Sequence, residues 1–238
     1  MREQHSSHVV IAIDGPSGVG KSTVAKRLAQ HLGYHYVDSG ALYRAVGWAV
    51  MAAAGPVGTP EAVVEVMQHT TLEVTFRDGQ SEVWVNGQPL AAQLHGEAVG
   101  AAASAVATVL MVRQIITAQL RRLRCQADLV VEGRDIGTVV FPDATVKFFL
   151  DASLEKRGQR RFRDLQKAGQ PVTLEHVTQA VAARDSQDRS RALAPLQPAA
   201  EALCLDTTDL PIDDVVQLML SEIYPQLLQG DQEGAHAC

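Results

Sequence analysis

The chain has 238 residues, of which 46% are hydrophobic and 20% charged, enough apolar material for a full core in one α/β domain with insertions. Its net charge of −6 argues against a nucleic-acid-binding surface, which is usually basic. Cys125, Cys204 and Cys238 lie far apart, and the 8 histidines are scattered, so neither a disulfide framework nor a metal-ligand spacing is present and a reducing compartment is expected.

Residues 1–8 are polar, lack an apolar signal core and read as a loose end, as do residues 229–238. No apolar run approaches the ~18 residues that a membrane span needs, so a cytoplasmic protein is expected. Residues 9–13, Val-Val-Ile-Ala-Ile, read as a buried strand. Gly15-Pro16-Ser17-Gly18-Val19-Gly20-Lys21-Ser22 follows and matches G-x-x-x-x-G-K-[ST]. From Thr23 to Leu32 apolar residues recur at helical spacing and stop at Gly33. Strand, glycine loop and helix in this order form a phosphate-binding loop (P-loop), so residues from Gly15 to Thr23 are assigned to ATP. The glycines admit the phosphates without a Cβ clash, and successive N–H groups and the helix N-terminus face the negative charge. Lys21 is placed to reach the β- and γ-phosphates, and the Ser22 hydroxyl to bind Mg2+.

Residues 34–37 form the next apolar run, and a helix is expected over 41–54. The stretch 59–100 breaks the rhythm. A short helix over 60–69 precedes strands at 72–76 and 82–85, which flank Arg77-Asp78-Gly79-Gln80, and Asn86-Gly87 signals a second turn. This reads as a small antiparallel insertion, either decoration or a mobile cover, with Trp84 as an exposed hint of an interaction surface. One long helix is expected over 96–123, then strands at 128–132, 145–150 and 202–205 with helices between. The five core runs imply a doubly wound parallel sheet, covered on both faces and divided between residues 9–58 and 101–228. Asp14, Asp38, Arg134-Asp135 and Asp151 fall where those strands end, the edge at which such sheets bind ligands.

A transferase needs a second anionic site facing the loop, and arginines supply candidates. Ser39 is placed to cap the helix that carries Arg44. Gly133-Arg134-Asp135-Ile136-Gly137 follows a buried strand, and Arg184, Asp188 and Arg191 share a face at i, i+4 and i+7. Arginine suits phosphate because its planar fork binds two oxygens at once. Lys156, Arg157, Arg160, Arg161 and Arg163 concentrate basic charge in an acidic chain, which favours a lid over 155–169 that closes on the transferring group and excludes water.

The runs IDGPSGVGKST, DSGALYR, EGRDIGTVVFPDA, ARDSQDRSRALAPL and LDTT, in this order across nearly the whole chain, resemble the bacterial cytidylate kinase family of nucleoside monophosphate kinases. The loop alone is shared with many unrelated proteins; the third and fourth runs are far more specific. The resemblance implies a reaction of ATP with CMP or dCMP, with Mg2+, in a monomer. It implies that Ser39, Arg44 and Arg134 hold the acceptor phosphate, and that Ser104, Arg113 and Asp135 contact the cytosine edge. Arg184 and Asp188 would meet the sugar with Arg191 nearby, and Arg157, Arg160 and Arg161 would act with Lys21 on the phosphates. Ser104 and Arg113 rest on the resemblance alone. A kinase of UMP, AMP or a shikimate-like acceptor, or a nucleotide switch without an acceptor, remain alternatives; the Asn-Lys-x-Asp of guanine-specific switches is absent from the sequence.

Overall fold

A computed structural model describes the backbone of residues 8–235 and the side chains of residues 8–228; the N-terminal stretch expected to be loose falls almost wholly outside it. The elements run β1 (Val10–Asp14), α1 (Lys21–Leu32), β2 (His35–Asp38), α2 (Ser39–Ala54), α3 (Pro60–Gln68), β3 (Leu72–Arg77), β4 (Gln80–Val85) and β5 (Gln88–Leu90). They continue with α4 (Glu97–Val106), α5 (Leu110–Arg124), β6 (Leu129–Gly133), a wide turn at Ile136–Val140, β7 (Val146–Asp151), α6 (Leu154–Lys167), α7 (Leu174–Ser190), β8 (Leu203–Asp206) and α8 (Ile212–Ala235). The last helix therefore runs into the stretch for which a loose tail is expected, and residues 236–238 are not described.

The five core runs form the parallel strands β2-β6-β1-β7-β8 of one sheet. Along β1 the side chains alternate: Val10 and Ala12 enter the core under α2 to α5, and Ile11 and Ile13 the core under α1 and α8. Covering both faces lets the central strands be apolar throughout.

The insertion does not stand apart from this sheet. β3 and β4 form the expected hairpin, but Tyr36 on β2 pairs in parallel with Gln80 on β4, and the hairpin extends the sheet beyond β2. Trp84 is half-buried and its indole N–H donates to Thr75 Oγ1 at 3.0 Å, so it is not the exposed side chain expected.

The single helix expected over 96–123 is two helices, α4 and α5, crossing at 100°. No glycine or proline marks the break. Instead the Thr108 hydroxyl takes the Ala105 carbonyl at 2.7 Å, and Arg113 donates to the Ala107 carbonyl at 3.1 Å, closing the end of α4. α4 in turn lies close against α2, because a Cβ on Gly47 would come within 2.9 Å of the Ala102 methyl and of the Ala103 nitrogen.

Candidate active site

β1 delivers the chain to the loop at the carboxyl edge of the sheet. Gly15, Gly18 and Gly20 take φ of 149°, 74° and 103°, values that side chains rarely adopt. Gly20 stands at the N-terminus of α1, whose first residue is Lys21. The Lys21 ammonium is buried and donates to the Gly15 carbonyl at 2.9 Å and the Pro16 carbonyl at 2.8 Å. Burial, then the nearby Arg134, lower its proton affinity, against the pull of Glu132 and Asp14. Ser22 and Thr23 are exposed on the first turn.

Two buried carboxyls flank the lysine that sequence reasoning left without a role. Asp14 accepts the N–H groups of Ile136 and Gly137, each at 2.8 Å, and so fastens the wide turn to β1. Burial outweighs those hydrogen bonds and lifts its pKa to about 6. Glu132 accepts from the Tyr36 hydroxyl at 2.8 Å and lies beside the Ser22 side chain; burial, then Asp38, raise its proton affinity. Both positions end a buried strand at the ligand edge, which is the signal that could have singled them out.

Ser39 does not cap α2. Asp38 does, accepting the Ala41 N–H at 3.0 Å, because the helix begins one residue earlier than its side-chain chemistry suggests. The buried Ser39 hydroxyl instead donates to the Glu132 carbonyl at 2.7 Å. Arg44, on the next turn, pairs with Asp38 at 2.6 Å.

The other acceptor-side residues converge from four elements. Asp135, 3% exposed, pairs with Arg113 of α5, and the Arg191 guanidinium lies 3.7 Å from its other oxygen. Arg134 Nε donates to Asp188 of α7 at 2.8 Å, and Arg191 reaches Asp188 at 3.7 Å. Ser104 hydrogen-bonds back along α4 to Gly100, and its carbonyl accepts from Gln187 of α7 at 3.5 Å, so α4 and α7 meet here. Like the buried Nη2 of Arg191, the buried Nε of Arg184 lacks a hydrogen-bond partner. Burial, then Arg134, lower its pKa to about 10, with Arg44 and Arg161 adding repulsion and Asp188 opposing it. Lys21 feels both Arg134 and Arg184, so the loop lysine and the acceptor arginines share one electrostatic cluster.

The lid arginines divide. Arg161 is exposed. Arg157 and Arg160, expected on the phosphate side, turn to the protein instead. Arg157 is buried and pairs with Asp185, while Arg160 donates to the Val19 carbonyl at 3.0 Å and the Thr207 carbonyl at 2.6 Å. A guanidinium at the base of a packed helix must find partners of opposite sign or carbonyl acceptors; α7 supplies the first through Asp185 and the loop the second through the Ser17 and Val19 carbonyls.

No group of three or more His, Cys, Asp or Glu residues is placed to hold a metal ion, and no single helix is long and apolar enough to cross a membrane, among the described residues. The cluster has what phosphoryl transfer requires: amides for one anion, guanidinium groups for another, and buried carboxyls at the junction.

Comparison with known proteins agrees with this arrangement. The family model for cytidylate kinase matches residues 11–225. A cytidylate kinase of Geobacter sp. (strain M21) is 42% identical over 226 residues, covering 94% of this chain and 96% of the relative. One of Klebsiella pneumoniae (strain 342) is 43% identical over 211 residues, covering 89% and 93%. The crystal structure of an uncharacterized protein from Eubacterium ventriosum shares the fold at a TM-score of 0.50 and 11% identity, over 91% of this chain and 98% of that one. With the match running from the first strand into the last helix, the chain belongs to the cytidylate kinase family, enzymes that phosphorylate a nucleoside monophosphate at the expense of ATP.

Proposed function

We propose that the protein transfers the γ-phosphoryl group of ATP to CMP or dCMP, giving ADP and CDP or dCDP. One observation carries the reading: Lys21 shares a cationic cluster with Arg134 and Arg184, and a buried Arg184 nitrogen is left without a partner. An anion with several oxygens fits that cluster, and the monophosphate of an acceptor supplies one.

Residues 15–23 hold ATP through their amides, with Lys21 on the β- and γ-phosphates. Ser39, Arg44 and Arg134 hold the acceptor phosphate, with Arg44 leaving Asp38 to reach it. Asp135 accepts from the cytosine amine while Arg113 and Ser104 donate to its ring nitrogen and carbonyl. Arg184 and Asp188 meet the sugar, and Arg191 keeps Asp135 and Asp188 in register. Arg161 adds charge from the lid, residues 155–169. The core, 9–58 and 101–228, carries both sites, and 59–100 walls the acceptor side. In-line transfer needs alignment, charge neutralisation and exclusion of water rather than a protein nucleophile.

Mg2+ fits the donor set, because the Ser22 hydroxyl is exposed beside the Glu132 carboxyl and the nucleotide provides the remaining oxygens. Bound there, it would neutralise charge on the β- and γ-oxygens. The protein is read as a cytoplasmic monomer without nucleic-acid or membrane partners.

An acceptor panel at fixed ATP and Mg2+, followed by ADP release, tests the reaction. CMP and dCMP are expected to give the largest turnover, ahead of UMP, AMP and shikimate. Protein that binds ATP and leaves every pyrimidine monophosphate unchanged overturns it.

A further inference from the structure

The phosphate loop is held from its outer side, and the residues that hold it come from the lid helix and the acceptor helix. Asp185 of α7 accepts the Ser17 N–H at 3.1 Å and pairs with Arg157 of α6. Arg157 donates onward to the Ser17 carbonyl at 3.1 Å and to the Ala152 carbonyl at 2.9 Å. Two residues along the loop, Arg160 donates to the Val19 carbonyl at 3.0 Å and is itself held by Thr207, through the hydroxyl at 3.2 Å and the carbonyl at 2.6 Å. On the inner side Lys21 takes the Gly15 and Pro16 carbonyls.

These contacts dictate where the amides point. Among the described residues every peptide bond is trans, so each C=O and the N–H that follows it lie in one plane and point in opposite directions. The Pro16 carbonyl faces Lys21, and the next N–H, of Ser17, faces Asp185 on the far side. The Ser17 carbonyl faces outward to Arg157, which turns the Gly18 N–H inward. The Val19 carbonyl faces outward to Arg160, which turns the Gly20 N–H inward. Glycine planes in a loop rotate readily, so their orientation needs a restraint. Here the restraint is close: a Cβ on Gly18 would come within 2.9 Å of the Arg157 carbonyl.

We propose that Asp185, Arg157 and Arg160 are positioning residues that fix the Ser17–Gly18 and Val19–Gly20 peptide planes, so that two amides face the donor phosphates before the nucleotide arrives. Asp185 directly follows Arg184, so one turn of α7 fastens the donor loop with one side chain and presents the acceptor site with the next. The proposal rests on the reading of the loop as the ATP site.

The test uses Arg157→Met/Asp185→Asn, which removes both members of the buried pair and leaves no lone charge, beside Arg160→Met at the half-exposed end of the clamp. ADP affinity is measured by calorimetry without acceptor, kcat and KM are measured for each substrate, and thermal unfolding is followed. The double variant should lose about 10²-fold in kcat/KM for ATP, the scale of a displaced catalytic geometry, with weaker ADP binding and a CMP KM near that of the parent. Arg160→Met should show the same split at about 10-fold. A folded double variant with parental ATP kinetics overturns the proposal, as does an equal loss towards ATP and CMP or a lowered Tm with unchanged kinetics. If the double variant does not fold, Arg160→Met decides: a selective ATP loss supports the clamp, and parental ATP kinetics refute it. Parental protein that binds no ADP overturns the reading of the loop itself, an outcome visible before any variant is made.

Discussion

Lys21 rests on two carbonyl oxygens of its own loop, whereas Arg184, on the opposite wall of the cleft, keeps a buried nitrogen with no hydrogen-bond partner. Both are cations of one cluster, yet the buried ammonium is satisfied by the protein and the buried guanidinium nitrogen is not. The donor wall is a short contiguous run whose backbone supplies most of the donors. The acceptor wall is assembled from α2, α4, α5, the turn after β6 and α7, and burial, then the neighbouring Arg134, hold Arg184 at a lowered pKa of about 10. A preorganised loop meets its phosphates with little rearrangement. On the proposed assignment, an arriving anion would offer the buried arginines the partner they lack.

The contrast can be broken most sharply at Lys21. Lys21→Ala should lower kcat by about 10²–10³-fold, the usual cost of one preorganised charge donor. Far-ultraviolet circular dichroism should match the parent, since the lysine's present partners are carbonyls of the loop alone. Near-normal turnover would remove Lys21 from the chemistry. Arg184→Met probes the opposite wall. It should raise the CMP KM by about 10–100-fold, as for the loss of charge-assisted hydrogen bonds, and leave the ATP KM close to the parent. Removing an unsatisfied buried cation should also raise the Tm of the empty protein by roughly 2–4 °C. A lowered Tm would mean that Arg184 is structural.

Asp14 sharpens the comparison at the junction of the walls. Its pKa, about 6 in the fold against 3.8 ordinarily, means that the native state binds its proton more tightly than the unfolded chain. This group's contribution to stability therefore grows as pH falls from 6 towards 4 and vanishes above 6. Against Asp14→Asn, which lacks the titration, the parent should gain about 2 kcal/mol between pH 7 and pH 4 in denaturant unfolding. A flat difference would place the proton elsewhere.

The donor wall was legible because its signal is local: eight residues in order, a strand before and a helix after. The five core strands were legible from apolar runs, each of which continues one residue further, to an aspartate that still pairs in four of them, as at Asp38 and Asp206, and to Gly133 in the fifth. The acceptor residues other than Ser104 and Arg113, which rested on the resemblance alone, could be named from short runs, but not their partners. That Asp135 takes both Arg113 and Arg191, or that Asp185 takes an amide 168 positions away, depends on how the elements close on one another. The protein partners of Arg157 and Arg160 were hidden for the same reason, since a basic helix face does not reveal which side packs. The break between α4 and α5 was hidden because apolar spacing runs across it and a threonine hydroxyl and an arginine do what a glycine usually does. The hairpin's union with β2 is an edge-to-edge pairing that no local pattern encodes.

The missing side chain at Gly47 has a reach larger than its size. α2 starts with Ser39 and Arg44, α4 carries Ser104, and the two helices touch where Gly47 meets Ala102 and Ala103. Hydrogen at that position thus acts as a spacer gauge, setting how far the helix that carries Ser39 and Arg44 stands from the helix that carries Ser104.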